Sequence, residues 1–135
     1  MLSLTWLGRL ALASLLLFVV GCGDQQGLPP PSSEEEALAA LTAGLEAWKN
    51  GEEADVLTRR DPPIHFKDFA WRGGEQLENY EIGSTMERYG QALIASVKLT
   101  LKKPGAPAVQ KNMRYQIDTS PTAIVIVPGD APSGQ

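Results

Sequence analysis

From Leu93 to Lys102 the chain changes character at every second residue: Leu93, Ala95, Val97, Leu99 and Leu101 are apolar, with Ser96, Lys98, Thr100 and Lys102 between them. Side chains of a strand point to opposite faces in turn, so this segment predicts a β-strand with one face buried and one in water. The rest of the fold has to cover that apolar face. After the turn Lys103-Pro104-Gly105-Ala106-Pro107 the same period resumes, with Val109, Met113, Tyr115 and Ile117 inward and Gln110, Asn112, Arg114, Gln116 and Asp118 outward. Ser120-Pro121 turns the chain again. Ala123-Ile124-Val125-Ile126-Val127 is apolar throughout, which predicts a strand covered on both faces or set centrally in its sheet.

The cover comes from upstream. Ser32 and Ser33 are each followed three residues later by a glutamate, the capping-box spacing, and Glu34 to Glu36 suit the positive end of a helix dipole. Leu38, Leu41, Leu45 and Trp48 then recur in steps of three and four along one stripe, and Gly51 is the residue type that a left-handed C-terminal cap prefers. Glu52 to Arg60 reads as a further helical turn or an ordered loop, and Asp61-Pro62-Pro63 breaks any helix. Ile64 to Trp71 alternates roughly and is rich in aromatics, predicting a first strand closed by the turn Arg72-Gly73-Gly74. Leu77 to Ile82 predicts a second strand, and Gly83 to Gly90 a connection; no internal repeat stands out. The expected fold class is α+β: one N-terminal amphipathic helix packed on a curved antiparallel sheet of four to five strands, nearest in shape to a cystatin or NTF2-like cone.

The N-terminus carries an address. Arg9 precedes a run from Leu10 to Val20 in which only Ser14 is not Leu, Ala, Val or Phe. That is the charged and apolar order of a secretory signal, about half the roughly 20 residues a spanning helix needs. The run ends at Val19-Val20-Gly21-Cys22, which resembles the bacterial lipobox. The resemblance implies that Cys22 receives a diacylglyceryl group and becomes the first residue of the mature chain. Cys22 is the only cysteine, so no internal disulfide competes for it. Gly23 and Asp24 behind it leave inner and outer membrane both open. Pro29, Pro30 and Pro31 favour an extended spacer. The expected organisation is therefore a signal at 1–21, a lipidated cysteine and proline-rich linker at 22–33, a small domain at 34–129 and a flexible tail at 130–135. Without the signal, which holds Arg9 and no acid, 11 basic and 16 acidic residues remain, for a net charge of −5. An acidic body of this kind is not expected to seek nucleic acid or anionic headgroups, so membrane lipid is met through acylated Cys22 alone.

A second resemblance covers Trp48 to Pro121. Pro63-Ile64, Asp68, Trp71, Gly74, Leu77 and Tyr80, the strand Val97-Lys98-Leu99-Thr100-Leu101, and Tyr115 with Thr119-Ser120-Pro121 look like the short lipoproteins abundant in planctomycete-type bacteria. That resemblance implies no particular reaction.

Candidate chemistry is sparse. His65 is the sole histidine, and Asp68, three residues on in an expected strand, would point to the opposite face, so the pair fails as a base and its orienter. No second His or Cys and no spaced acidic loop suggests a metal, and no cofactor motif is present. Glu34, Glu35, Glu36, Glu52 and Glu53 read as helix-end charges. Trp48, Trp71, Tyr80 and Tyr89 are candidates to line a pocket between helix and sheet, although aromatics at periodic positions also serve as core plugs. Lys67 and Arg72 beside Trp71 would add an anion or peptide contact, which makes Trp71, Tyr80, Lys67 and Arg72 the expected ligand or partner surface. The expectation is a membrane-anchored envelope lipoprotein, a non-catalytic binding or interaction module with an envelope protein as partner; the alternative is a small-ligand-binding cone.

Overall fold

The computed structural model describes residues 30–128, so the signal, Cys22, most of the linker and the tail at 130–135 lie outside the described residues. The fold is mixed α+β, a single unclosed five-stranded sheet with a few helices. In chain order these are α1 (Glu34–Lys49), a 3₁₀ helix (Ala54–Arg59), β1 (Ile64–Lys67), α2 (Phe69–Arg72), β2 (Gln76–Tyr89), β3 (Ala92–Lys102), β4 (Val109–Asp118) and β5 (Ala123–Ile126). The strands lie in the order β1-β5-β4-β3-β2. Among the described residues no helix is long and apolar enough to cross a membrane.

Alternation in β3 and β4 does what it must. Leu93, Ala95, Val97, Leu99 and Leu101 are buried, as are Tyr115 and Ile117, while Ser96 and Lys98 are exposed. The register carries one apolar row through four strands: Leu93 faces Ile117, Ile117 faces Val125, and Val125 faces Phe66. α1 lies over this row, and the contact is close because position 44 is glycine. A Cβ there would run into the ring of Phe66, so the helix and β1 meet only where no side chain stands between them.

Several expectations need correction. The sheet is not wholly antiparallel, since β1 pairs with β5 in parallel. Periodicity reports which face of a strand is buried but not its neighbour or its direction, and the partner of β1 is the last strand of the chain. β1 also stops at Lys67, because Asp68 caps α2 and Trp71 sits on that helix. β2 is far longer than Leu77–Ile82: it runs on to Tyr89, absorbing Gly83-Ser84-Thr85 at a register shift between Ile82 and Met86. A bulge of this kind breaks alternation and hides a strand from a period-two reading. β5 is interior to the sheet, but only one of its faces is covered, since Val125 is buried while Ile124 is 36% exposed.

The helical stripe is shifted as well. α1 buries Ala37, Ala40, Leu41, Gly44, Leu45, Ala47 and Trp48, and Leu38 is exposed. Small residues let the backbone approach the sheet, so the buried face is centred on alanine and glycine and not only on leucine. Finally, the fold begins before residue 34. Ser33 is the N-cap of α1, its Oγ accepting from the Glu36 N–H at 3.1 Å. Ser32 is buried: its N–H donates to the Gln91 carbonyl at 2.9 Å, its Oγ accepts from the Thr119 N–H at 2.9 Å, and its carbonyl accepts from Arg88 at 2.8 Å. The end of the expected linker is thus knotted to the β2–β3 turn and to the chain leaving β4.

Candidate functional site

Two short segments share a pattern that was not recognised as a repeat: Ala47-Trp48-Lys49-Asn50-Gly51-Glu52 and Ala70-Trp71-Arg72-Gly73-Gly74-Glu75. Each is Ala-Trp-base-x-Gly-Glu, and each ends a helix in the same way. In α1 the Gly51 N–H donates to the Trp48 carbonyl and the Glu52 N–H to the Ala47 carbonyl, both at 2.9 Å. In α2 the Gly74 N–H donates to the Trp71 carbonyl at 3.1 Å and the Glu75 N–H to the Ala70 carbonyl at 3.0 Å. These are paired Schellman closures, and they require a left-handed residue at the glycine, where φ is +81° at Gly51 and +87° at Gly74.

The two ends are joined to one another. Trp48 Nε1 donates to the carbonyl of Glu75 at 2.7 Å, and Trp71 Nε1 donates to the carbonyl of Glu52 at 2.9 Å. The indoles stack between these bonds with centroids 5.4 Å apart and planes 8° from parallel. Each tryptophan therefore satisfies a carbonyl at the end of the other's helix, a reciprocal clasp. Behind it, Phe66 meets Trp71 edge-on at 5.4 Å and Tyr115 at 5.5 Å.

A buried acid locks α2 in place. Asp68 is 3% exposed; one carboxylate oxygen accepts from the Ala70 and Trp71 N–H groups at 2.8 and 3.3 Å, and the other from the Tyr115 hydroxyl at 2.6 Å. Burial, then the charge of Asp68 and its hydrogen bond, push the Tyr115 hydroxyl far above its usual value, so it remains a donor. Asp68 was considered only as a partner for His65, which it does not meet: His65 is exposed while Asp68 is turned inward. The readable signal for Asp68 was an N-cap residue six positions before Gly74, the spacing of a one-turn helix between its caps.

Outside the clasp lies an open cleft of about 740 Å³, walled by the two indoles and by Gly51, Glu52, Glu53, Ala54, Asp55, Arg72, Gly74, Glu75 and Gln76. Its charge is unbalanced, with four carboxylates against the single guanidinium of Arg72, and the C-terminal end of α1 adds negative potential. A smaller hollow of about 230 Å³ shares Glu75 and is edged by Lys103 and Lys111. Such walls suit reversible holding of a polar or cationic group against an aromatic surface.

The expected surface of Trp71, Tyr80, Lys67 and Arg72 is not one surface. Trp71 is 7% exposed, a plug whose indole edge backs the cleft, and of the other three only Arg72 joins it there. Lys67 projects from the opposite face of the sheet, as the alternating burial of β1 requires. Tyr80 is half-buried and donates to Glu46 of α1 at 2.5 Å; burial, the hydrogen bond and the charge of Glu46 raise it to about 12. Tyr89, at the end of β2, is 69% exposed and lines none of this. Among the described residues no group of three or more His, Cys, Asp or Glu is arranged to hold a metal ion. Set against protein-family models, curated proteins and solved structures, the chain matches none of them.

Proposed function

We propose that this chain is a lipid-anchored protein of the bacterial cell envelope whose folded domain is a non-catalytic binding module. The observation that carries the reading is Val19-Val20-Gly21-Cys22, the only cysteine of the chain, closing an apolar run and followed by a polar, proline-rich stretch. Acyl chains contribute about 0.8 kcal/mol per buried methylene, so a multiply acylated cysteine holds a mildly acidic domain at a membrane without help from its surface charge. On the same reading the layer of α1 over the sheet is a cystatin- or NTF2-like cone; helix-then-sheet order supports it, and the parallel edge strand β1 is its departure from a plain meander.

The test is the intact mass of the mature protein taken from bacterial membranes, wild type beside Cys22→Ala. Cleavage before residue 22 with added acyl mass in the wild type, and an unprocessed variant, is the expected pair of results. An unmodified Cys22 in the wild type overturns the anchor.

The cleft favours a second reading for the domain itself, capture of a small ligand or a peptide side chain. Cleaved before Cys22, the chain keeps only Trp48 and Trp71 of its three tryptophans, so its indole fluorescence reports the clasp alone. A saturable shift in that emission on titration with amines or basic peptides, abolished by Glu52→Gln with Glu75→Gln, is expected of ligand capture. Emission unmoved across such a panel leaves the domain as a partner-docking module.

A further inference from the structure

Ser32 decides which end of the domain meets the membrane, a consequence that rests on the anchor reading of Cys22. We propose that the domain hangs with its β2–β3 turn toward the bilayer, Tyr89 foremost, and holds the paired-tryptophan cleft at the opposite pole, open to the envelope space.

Ten residues separate Cys22 from Ser32, on the order of 30 Å of extended proline-rich chain, and the chain enters the fold at one point. That point is clamped. Ser32 bonds to Gln91 in the β2–β3 turn, to Arg88 at the end of β2 and to Thr119 after β4, so the tether cannot swing freely around the domain. Two elements place the cleft far away. α1 starts beside Ser32 and spans about 24 Å before Trp48 and Gly51 reach the cleft. β3 starts beside Gln91 and ends at Lys102, opposite Gln76 on the cleft wall. At the near pole Tyr89 is an exposed ring with a polar tip, the kind of side chain that settles at headgroup level. Glu34, Glu35 and Glu36 share that pole and are repelled by anionic headgroups, so the approach is closest over neutral lipid.

The experiment uses full-length protein purified from bacterial membranes, its Cys22 acylated, in phosphatidylcholine vesicles that carry an acceptor dye on a headgroup. A donor dye is placed on Gln91→Cys at the turn or on Glu53→Cys at the cleft. Energy transfer to the membrane from the turn site is expected to be at least twice that from the cleft site, and Tyr89→Ser lowers the turn-site value. Equal or reversed transfer in protein that floats with the vesicles overturns the orientation while leaving the anchor intact. Transfer at the turn unchanged by Tyr89→Ser overturns the role given to that ring. Protein that is unacylated and does not float overturns the anchor, and the orientation with it.

Discussion

Three residues carry more of the structure than their chemistry alone suggests. Asp68 is buried and takes three hydrogen bonds, one of them from Tyr115, so Tyr115→Phe strips a partner from an ion that cannot reach water. A loss of about 2 kcal/mol is expected in urea unfolding, in the range for a buried acceptor left short of a donor. A stability unchanged by that substitution would mean that water replaces the hydroxyl. Gly44→Ala sets two effects against each other: alanine favours the helix by about 1 kcal/mol, but its methyl group collides with Phe66, and overpacking costs about 1–3 kcal/mol. The melting temperature should fall, and a rise would show that the ring moves aside freely. Tyr80 and Tyr115 both hold their protons above the ordinary value of 10.0. The unfolded chain then releases its protons first, so this contribution is whole below pH 10, declines through about 12 for Tyr80, and declines further still for Tyr115. Unfolding followed between pH 8 and 12 checks the sign; Tyr80→Phe should flatten the early part of the decline.

At the scale of elements, the two Ala-Trp-base-x-Gly-Glu ends act as one device. Removing either indole N–H with Trp48→Phe or Trp71→Phe leaves a carbonyl unpaired, at about 1–2 kcal/mol each. The double variant should cost less than the sum of the two, because the stacking lost in the first change is no longer there to lose in the second. A strictly additive thermodynamic cycle would argue that the indoles do not support one another. Both ends were readable as patterns, since the glycine and tryptophan positions coincide once the segments are laid together. That they face each other was not readable, because reciprocal bonds depend on how α1 and α2 are brought together by the sheet. β2 shows the opposite case: its bulges break the period, and pairing with the regular β3 is what holds its middle in the sheet.

At the scale of the molecule, the boundary of the folded unit is the measurable issue. A chain beginning at Glu34 lacks the Ser33 cap, worth about 1 kcal/mol, and all three Ser32 contacts. It should unfold at clearly lower denaturant than one beginning at Pro30, and the loss should be concentrated in α1, the β2–β3 turn and the start of β5, where hydrogen exchange would report it. Equal midpoints would return Ser32 to the linker. The helix stripe, the regular strands and the mixed composition of helix and sheet were legible because each depends on neighbours three, four or two residues away. The candidate site was legible only in part: Trp71 and Arg72 do reach the cleft, whereas Lys67 and Tyr80 are carried to other surfaces by the parity of β1 and the pairing of Tyr80 with Glu46.

By itself, the order of residues determined the faces: which positions of β3, β4 and α1 turn inward, where Gly51 stops a helix, and where prolines forbid one. These are consequences of local backbone geometry and of the transfer of apolar side chains out of water, and they act over a few residues. Tertiary structure decided who meets whom. It set β1 parallel beside β5, drew Asp68 under Tyr115, crossed the indole bonds of Trp48 and Trp71, and drew Ser32 into the fold. Each of those partnerships spans from 19 to 87 positions of chain or joins distant strands, and is specified only when the core brings its elements together.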